Sequence, residues 1–270
     1  MRSARSSTKQ VTQRSVRARR AKSDRQSQIL AELNRTPSLR VAELAEHLQV
    51  STETIRRDLD ELTEQGLLNR TYGGAVRPLS SEPSVSERYS HFIAERERIA
   101  RAAVPLISAG RVFIMGSGAT TVHVARRMSV ELANVTVITH SFGVATVLSH
   151  NPAIKVLMLP GDYHASEGAT VGVQTVSFLN NFYADFTVLG ASGLTVEGPT
   201  DALIECGTVY GAMSRRAAKT LVVADHSKFD RIFPCRYAAW RDVNHLVTDA
   251  EPGGGLLSSL KLNGVEITIG

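Results

Sequence analysis

Short apolar runs beyond Gly110 end in turns made of small, hydroxyl-bearing and charged residues. VFIM ends in Gly116-Ser117-Gly118-Ala119-Thr120-Thr121, VTVIT in the segment closing at Ser141, and FTVLG in Gly190-Ala191-Ser192-Gly193. KVLML is followed by a Pro-Gly-Asp turn, LVVAD leads into a loop containing Lys228, and HLVTD closes on Thr-Asp. Glycines let backbone amides approach an anion, hydroxyls add donors, and the N-terminus of a following helix supplies partial positive charge. One such turn merely caps a helix. Four donor-rich turns on one edge, with the Lys228 cation beside them, point to a small anionic ligand, of which a phosphorylated metabolite is the natural candidate.

A second chemistry lies nearer the N-terminus. Arg56 and Arg57 fall in the opening turns of a helical segment whose later positions are Asp58, Asp60, Glu61 and Glu64, the reverse of the order the helix dipole favours. A recognition helix enters the DNA major groove by its N-terminal end, where Arg meets guanine edges or phosphates and Thr donates hydrogen bonds. The candidate DNA contacts are Ser51, Thr52, Glu53, Thr54, Arg56 and Arg57, with Arg70 and Tyr72 in the segment that follows. A charged, solvated helix face is the bland alternative for an Arg pair.

The elements that must position these arginines are written in residues 41 to 74. Val41, Leu44, Ala45 and Leu48 recur at i, i+3, i+4 and i+7, and Ile55, Leu59 and Leu62 repeat the pattern, so each of two helices has one buried face. Gln49-Val50 leaves room only for a tight corner, Ser51 is placed to cap the second helix, Gly66 to end it, and a hairpin wing follows. The layout predicts a winged helix-turn-helix over residues 25–77.

Ahead of it, residues 1–24 are expected to form a basic disordered arm. Nine Lys or Arg and one acid lie in the first 25 positions, leaving 22 bases against 25 acids elsewhere, so the formal +5 of the 270-residue chain originates there. Such an arm could track phosphates or a minor groove; a solvated tail, a misassigned start and an organellar transit peptide are its alternatives. Behind the wing, RPLSSEPSVSER lacks apolar periodicity, and residues 78–93 read as a linker. A helix is expected over 94–107, with Pro105 ending or kinking it. Strands alternating with helical segments then predict a mostly parallel, Rossmann-like α/β domain over residues 94–270, whose ligand site forms at the strand C-termini.

No apolar run approaches the roughly 20 residues of a membrane span, and no secretory h-region follows the basic N-terminus. Cys206 and Cys235 have neither metal-ligand nor disulfide-scaffold spacing and read as structural thiols in a reducing cytosol. The eight histidines form no ligand constellation, so neither metal nor cofactor is expected.

From about Gln26 onward the chain resembles the DeoR family of bacterial transcriptional regulators. The resemblance rests on VSTETIRRDLDELTEQG with the wing NRTYGGA, GSGATT, VTVITHS, LPGDYHASEGATVG, GASG, VVADHSKF and LVTD. It implies a sensor domain similar to sugar-phosphate isomerases, with effector contacts at Ser117, Gly118, Thr120 and Thr121, at Thr139, His140 and Ser141, at Gly190 to Gly193, and at Asp225 to Lys228. It also implies a cytoplasmic homo-oligomer, dimer or tetramer, that binds operator DNA as a repressor and is released by a sugar phosphate or related anion. Three positions depart from the pattern: Gly116 where Asp is common, Tyr210 where Lys is common, and Asp162 in place of a second glycine. The alternatives are an isomerase-like or transferase-like enzyme carrying DNA-binding helices, with Asp162, Glu205 and Asp225 as remaining carboxylates, and a nucleoid protein led by the basic arm.

Overall fold

The computed structural model describes residues 22–33, 38–64, 68–76 and 82–270. Contacts divide the chain into two compact units, Met1–Leu79 and Ser80–Gly270. The arm up to residue 21, Gly66 and residues 77–81 lie outside the described residues.

The first unit is a winged helix-turn-helix. Helix α1 spans residues 22–33, followed by β1 (Ser38–Arg40), α2 (Val41–His47), α3 (Thr52–Glu64), β2 (Asn69–Thr71) and β3 (Gly74–Val76). The strands pair antiparallel in the order β1-β3-β2. Ile29, Leu33, Leu44, Ile55, Leu59 and Leu62 meet in one core, as the helical periodicity requires. At the corner Gln49 takes a left-handed φ of 51°, and Val50 N donates to Ala45 O at 3.0 Å. The Ser51 hydroxyl accepts from Thr54 N at 3.1 Å. In the wing, a side chain at Gly74 would set its Cβ 1.8 Å from the Leu39 carbonyl oxygen, so only glycine lets β3 lie against β1.

The second unit opens with α4 (Val85–Arg88) and α5 (Ile93–Ile107), then continues β4 (Val112–Met115), α6 (Ala119–Glu131), β5 (Val135–Thr139), α7 (Phe142–Leu148), β6 (Ile154–Met158), β7 (Asp162–His164), β8 (Ala169–Val171), α8 (Val173–Leu179), β9 (Ala184–Leu189), β10 (Gly193–Thr195), β11 (Gly198–Asp201), α9 (Ile204–Ser214), β12 (Ala217–Val223), β13 (Cys235–Arg236), β14 (His245–Thr248), α10 (Gly254–Leu262) and β15 (Glu266–Ile269). Seven strands form a parallel sheet in the order β15-β14-β12-β9-β4-β5-β6. The chain fills the sheet outward from β4 to β6, then returns to lay β9 on the other side of β4. The turns after β4 and β9 therefore flank the topological switch point, where α/β sheets bind ligands.

Alternation along the strands divides the core. Phe113, Met115, Val137 and Val188 pack with Ile99, Val124 and Val144 on one face; Ile114, Ile138 and Leu189 pack with Leu179, Val209 and Met213 on the other. Pro105 remains inside α5, near its end.

From Glu82 onward, the stretch expected as a linker is built into this unit. Ser84 and Glu87 form a reciprocal capping box on α4, and Val85 N donates to Ser166 O at 2.8 Å. Similarly Lys22, Ser23 and Asp24, counted with the arm, belong to helix α1.

Candidate functional site

On α3, Thr52, Glu53, Arg56 and Arg57 form an exposed stripe opposite the buried Ile55, Asp58, Leu59 and Leu62. Glu53 pairs with both arginines, at 3.2 Å to Arg57 Nε and 3.9 Å to Arg56 Nη1. These exposed pairs are weak and leave both guanidiniums free to exchange partners. Tyr72 is fully exposed at the wing turn. Arg70 pairs with Asp60 at 3.0 Å and donates to Gly74 O at 3.1 Å, fixing the wing to α3.

Of the acids that follow the arginines, Asp60 and Glu64 are exposed, but Asp58 and Glu61 are engaged by α1. Asp58 is buried and accepts from Arg25 Nε at 2.5 Å and Nη2 at 3.0 Å. Glu61 accepts from Lys22 at 2.5 Å and Gln26 at 3.0 Å, contacts that hold its carboxyl below the usual range. The unfavourable charge order along α3 is thus offset by a clamp onto α1, and two of the nine cations in the first 25 positions are used inside the fold. Alanine at Arg56 or Arg57 is expected to leave this fold intact and weaken operator binding by about 1 to 3 kcal/mol where a bidentate base contact is lost. Anisotropy titrations at fixed salt, with melting curves as the folding control, measure this; unchanged affinity in both variants would remove α3 from the groove.

The second unit carries a small pocket at the switch point, with a free volume of about 30 Å3. Ser117, Gly118, Ala119 and Thr120 line it from the turn after β4, Gly190, Ala191 and Ser192 from the turn after β9, and Lys228 from the loop after β12. Gly118 has a φ of 120°, which opens the turn at the start of α6. The remaining lining residues are Glu82, Arg88, Arg96, Glu167, Asp201 and Tyr210.

The charges in and beneath the pocket are matched. Lys228 Nζ meets Glu82 Oε1 at 2.6 Å, and Arg88 bonds Glu82 at 2.7 Å and Glu167 at 2.6 Å. Burial works against the Arg88 charge, but the two carboxylates outweigh it and raise its pKa. Arg96 holds Asp225 at 3.2 Å and donates to the carbonyls of Arg88 and His91. Asp201 has no such cation bonded to it, and burial pushes its carboxyl up to about 7 although Leu203 N donates to it at 2.9 Å.

A neutral network forms the floor. Ser117 N donates to His140 Nε2 at 3.0 Å, so His140 Nδ1 carries the proton shared with Thr170 O at 2.7 Å. Burial lowers the His140 pKa to about 4, and the ring stays uncharged near neutrality. Tyr210 donates its hydroxyl hydrogen to Ser117 O and accepts from Ser117 Oγ, each at 2.8 Å.

A DeoR-like helix-turn-helix domain model matches residues 25–81, and a DeoR C terminal sensor domain model matches residues 91–250. The chain belongs to the DeoR family. The HTH-type transcriptional repressor GlcR of Bacillus subtilis (strain 168) is 32% identical over 224 residues, 82% of this chain and 86% of that protein. The HTH-type transcriptional repressor CsqR of Escherichia coli (strain K12) is 32% identical over 250 residues, covering 91% and 94%. The glycerol-3-phosphate regulon repressor of the same organism is 31% identical over 232 residues, covering 84% and 90%. No described helix is long and apolar enough to cross a membrane.

Of the candidate effector contacts, eight line the pocket directly and the others sit one layer back. Thr121 donates to Gly118 O at 2.8 Å, and Thr139 to Met115 O at 2.8 Å. His140 orients the Ser117 amide, Ser141 caps α7, and Asp225 is taken by Arg96 and Ser227. Gly193 lies in β10, where a Cβ would meet Arg231 O at 2.1 Å. Asp162 is exposed on β7 and Glu205 on α9, and neither lines the pocket.

The three departures from the DeoR family pattern suggested a site short of charge, with Lys228 its best cation. The structure corrects this: Arg88 and Arg96 add cations, Glu82, Glu167 and Asp201 add carboxyls, and Lys228 is already paired. These residues were missed because they come from the presumed linker, α5, the β7–β8 connection and the last position of β11. The Ser84-x-x-Glu87 spacing, a capping-box signature, was the signal that the linker folds.

Proposed function

We propose that this chain is a ligand-responsive repressor: the winged helix-turn-helix holds an operator, and a small anion bound in the switch-point pocket lowers that affinity. The observation that carries the reading is a pocket joining three cations, Lys228, Arg88 and Arg96, to two donor-bearing turns, in a chain that also carries a recognition helix. The names of the relatives agree with it, one of them referring to glycerol-3-phosphate. A sugar phosphate is the preferred class, with phosphate oxygens facing Ser117, Gly118 and Lys228 and hydroxyls facing Ser192 and Asp201. Ligand and operator would be coupled by about 1 to 3 kcal/mol, 5- to 150-fold in affinity. In a symmetric dimer, two recognition helices would read half-sites about 34 to 36 Å apart.

A thermal-shift screen of phosphorylated sugars against the full chain tests the reading, because a specific ligand stabilises only the folded state. Lys228→Ala is expected to bind operator normally but to respond at least tenfold more weakly to the ligand found, whereas Arg57→Ala keeps ligand binding and fails on DNA. A Lys228 variant with an unchanged response would exclude this pocket as the sensor.

The pocket also predicts a pH dependence. Asp201 has a folded pKa of about 7, above its ordinary 3.8. Its contribution to stability is full below that ordinary value and is lost as pH rises through 7, where the carboxylate adds negative charge to the pocket. Affinity for sulfate, whose own charge is constant, should fall as pH passes 7, and Asp201→Asn should flatten the profile. A profile identical in both proteins would show that Asp201 does not face the ligand.

A further inference from the structure

Glu82 is the first described residue of the second unit, and its carboxylate lies inside the pocket. Only 4% of its side chain is exposed. One oxygen, Oε1, serves both cations, Lys228 Nζ at 2.6 Å and Arg88 Nη1 at 2.7 Å. Its other oxygen, Oε2, and the Nε of Arg88 are both buried without a hydrogen-bond partner among the described residues. An unmatched buried donor or acceptor costs about 1 to 3 kcal/mol, so a carboxylate in this position satisfies the cations it faces incompletely.

We propose that Glu82 is a built-in anion that holds the pocket's cation site until a diffusible oxyanion displaces it. The proposal rests on the reading that this pocket binds a small anion and adds how entry is sensed. A tetrahedral oxyanion presents three or more acceptor oxygens to Lys228 and Arg88 Nη1, while the freed Oε2 regains water. Glu167 keeps its own bond to Arg88 Nη2 at 2.6 Å, so the guanidinium stays in place through the exchange. The movement need not pass beyond Glu82 into α4, because Val85 N is tied to Ser166 O at 2.8 Å and α4 carries its own capping box.

Inorganic phosphate is the probe. Calorimetric titration of the full chain is expected to show Glu82→Gln binding phosphate at least tenfold more tightly than the wild type, since the neutral amide competes poorly for two cations. In the wild type, saturating phosphate should speed hydrogen exchange of the Glu82 amide, which precedes Pro83 and the capped Ser84, while slowing it at 117–121. The exchange experiment does not depend on the variant folding. Equal phosphate affinity in both proteins, or slowed exchange at Glu82 as well as at 117–121, would overturn displacement and leave the anion pocket standing. Absence of phosphate binding to either protein would overturn the pocket reading as well.

Discussion

Asp58→Ala is expected to abolish operator binding by unfolding the N-terminal unit, although Asp58 faces away from the exposed stripe of α3. Its buried carboxylate takes two hydrogen bonds from Arg25, whose side chain is only 18% exposed. Removing one partner of such a pair strands the other charge, at about 3 to 5 kcal/mol when both are fully buried and about 2 to 4 here, where Arg25 reaches water at one edge. A unit of this size has only about 3 to 8 kcal/mol of stability. Circular dichroism melts of the full chain should lose the transition belonging to this unit, and DNA titrations should show no specific complex. Glu61→Ala, at a more exposed pair, should cost well under half as much. A variant that melts like the wild type would mean that α1 is not clamped to α3 through Asp58.

Gly116→Asp, which restores the residue common in the DeoR family, is expected to destabilise the sensor strongly. A Cβ at this position would lie 2.9 Å from Tyr210 Cε1 and 3.1 Å from Leu189 Cδ2. The ring cannot yield, because its hydroxyl is bonded to Ser117 and its faces and edges meet His140 at 5.7 Å and Tyr237 at 5.3 Å. Overpacking of this kind costs about 1 to 3 kcal/mol, and a carboxylate in the same space adds to it. Tyr210→Lys in the same chain removes the obstructing ring, so the double variant should recover at least about 1 kcal/mol relative to additivity. Denaturant melts of the wild type, both single variants and the double variant measure the coupling; strictly additive losses would show that the two departures are independent. The glycine and the tyrosine are therefore expected to behave as one compensated pair.

The helix-turn-helix was legible because its information is local. Apolar spacing, a capping serine and a two-residue corner all fall within 41–62, and the described structure has α2, the Gln49 corner and α3 in that order. Strands β4, β5, β6, β9, β12 and β14 were legible as apolar runs, but β15 was not, since Glu266–Ile269 alternates polar and apolar residues at the sheet edge. The β7–β8 and β10–β11–β13 pairings were also missed: their strands are short, and α9 and β12 lie between Asp201 and its partner Cys235. In the pocket, the turns could be read from glycine and hydroxyl clusters. The charges could not, because an ion pair such as Arg88 with Glu167, separated by 79 positions, leaves no periodic trace.

The position of the pocket has a kinetic consequence. Its two donor-bearing turns stand on β4 and β9, neighbours in the sheet but 73 residues apart where Thr187 bonds the Ile114 carbonyl. Closing that seam joins the half of the sheet containing β5 and β6 to the half containing β12, β14 and β15, and long-range parallel pairing of this kind forms slowly. A ligand spanning the seam would act as a staple. It should slow the escape of the native sensor toward unfolding more than it speeds refolding, if the seam is the last part to assemble. In a cell, a ligand-bound sensor of this construction would outlast an empty one under proteolysis.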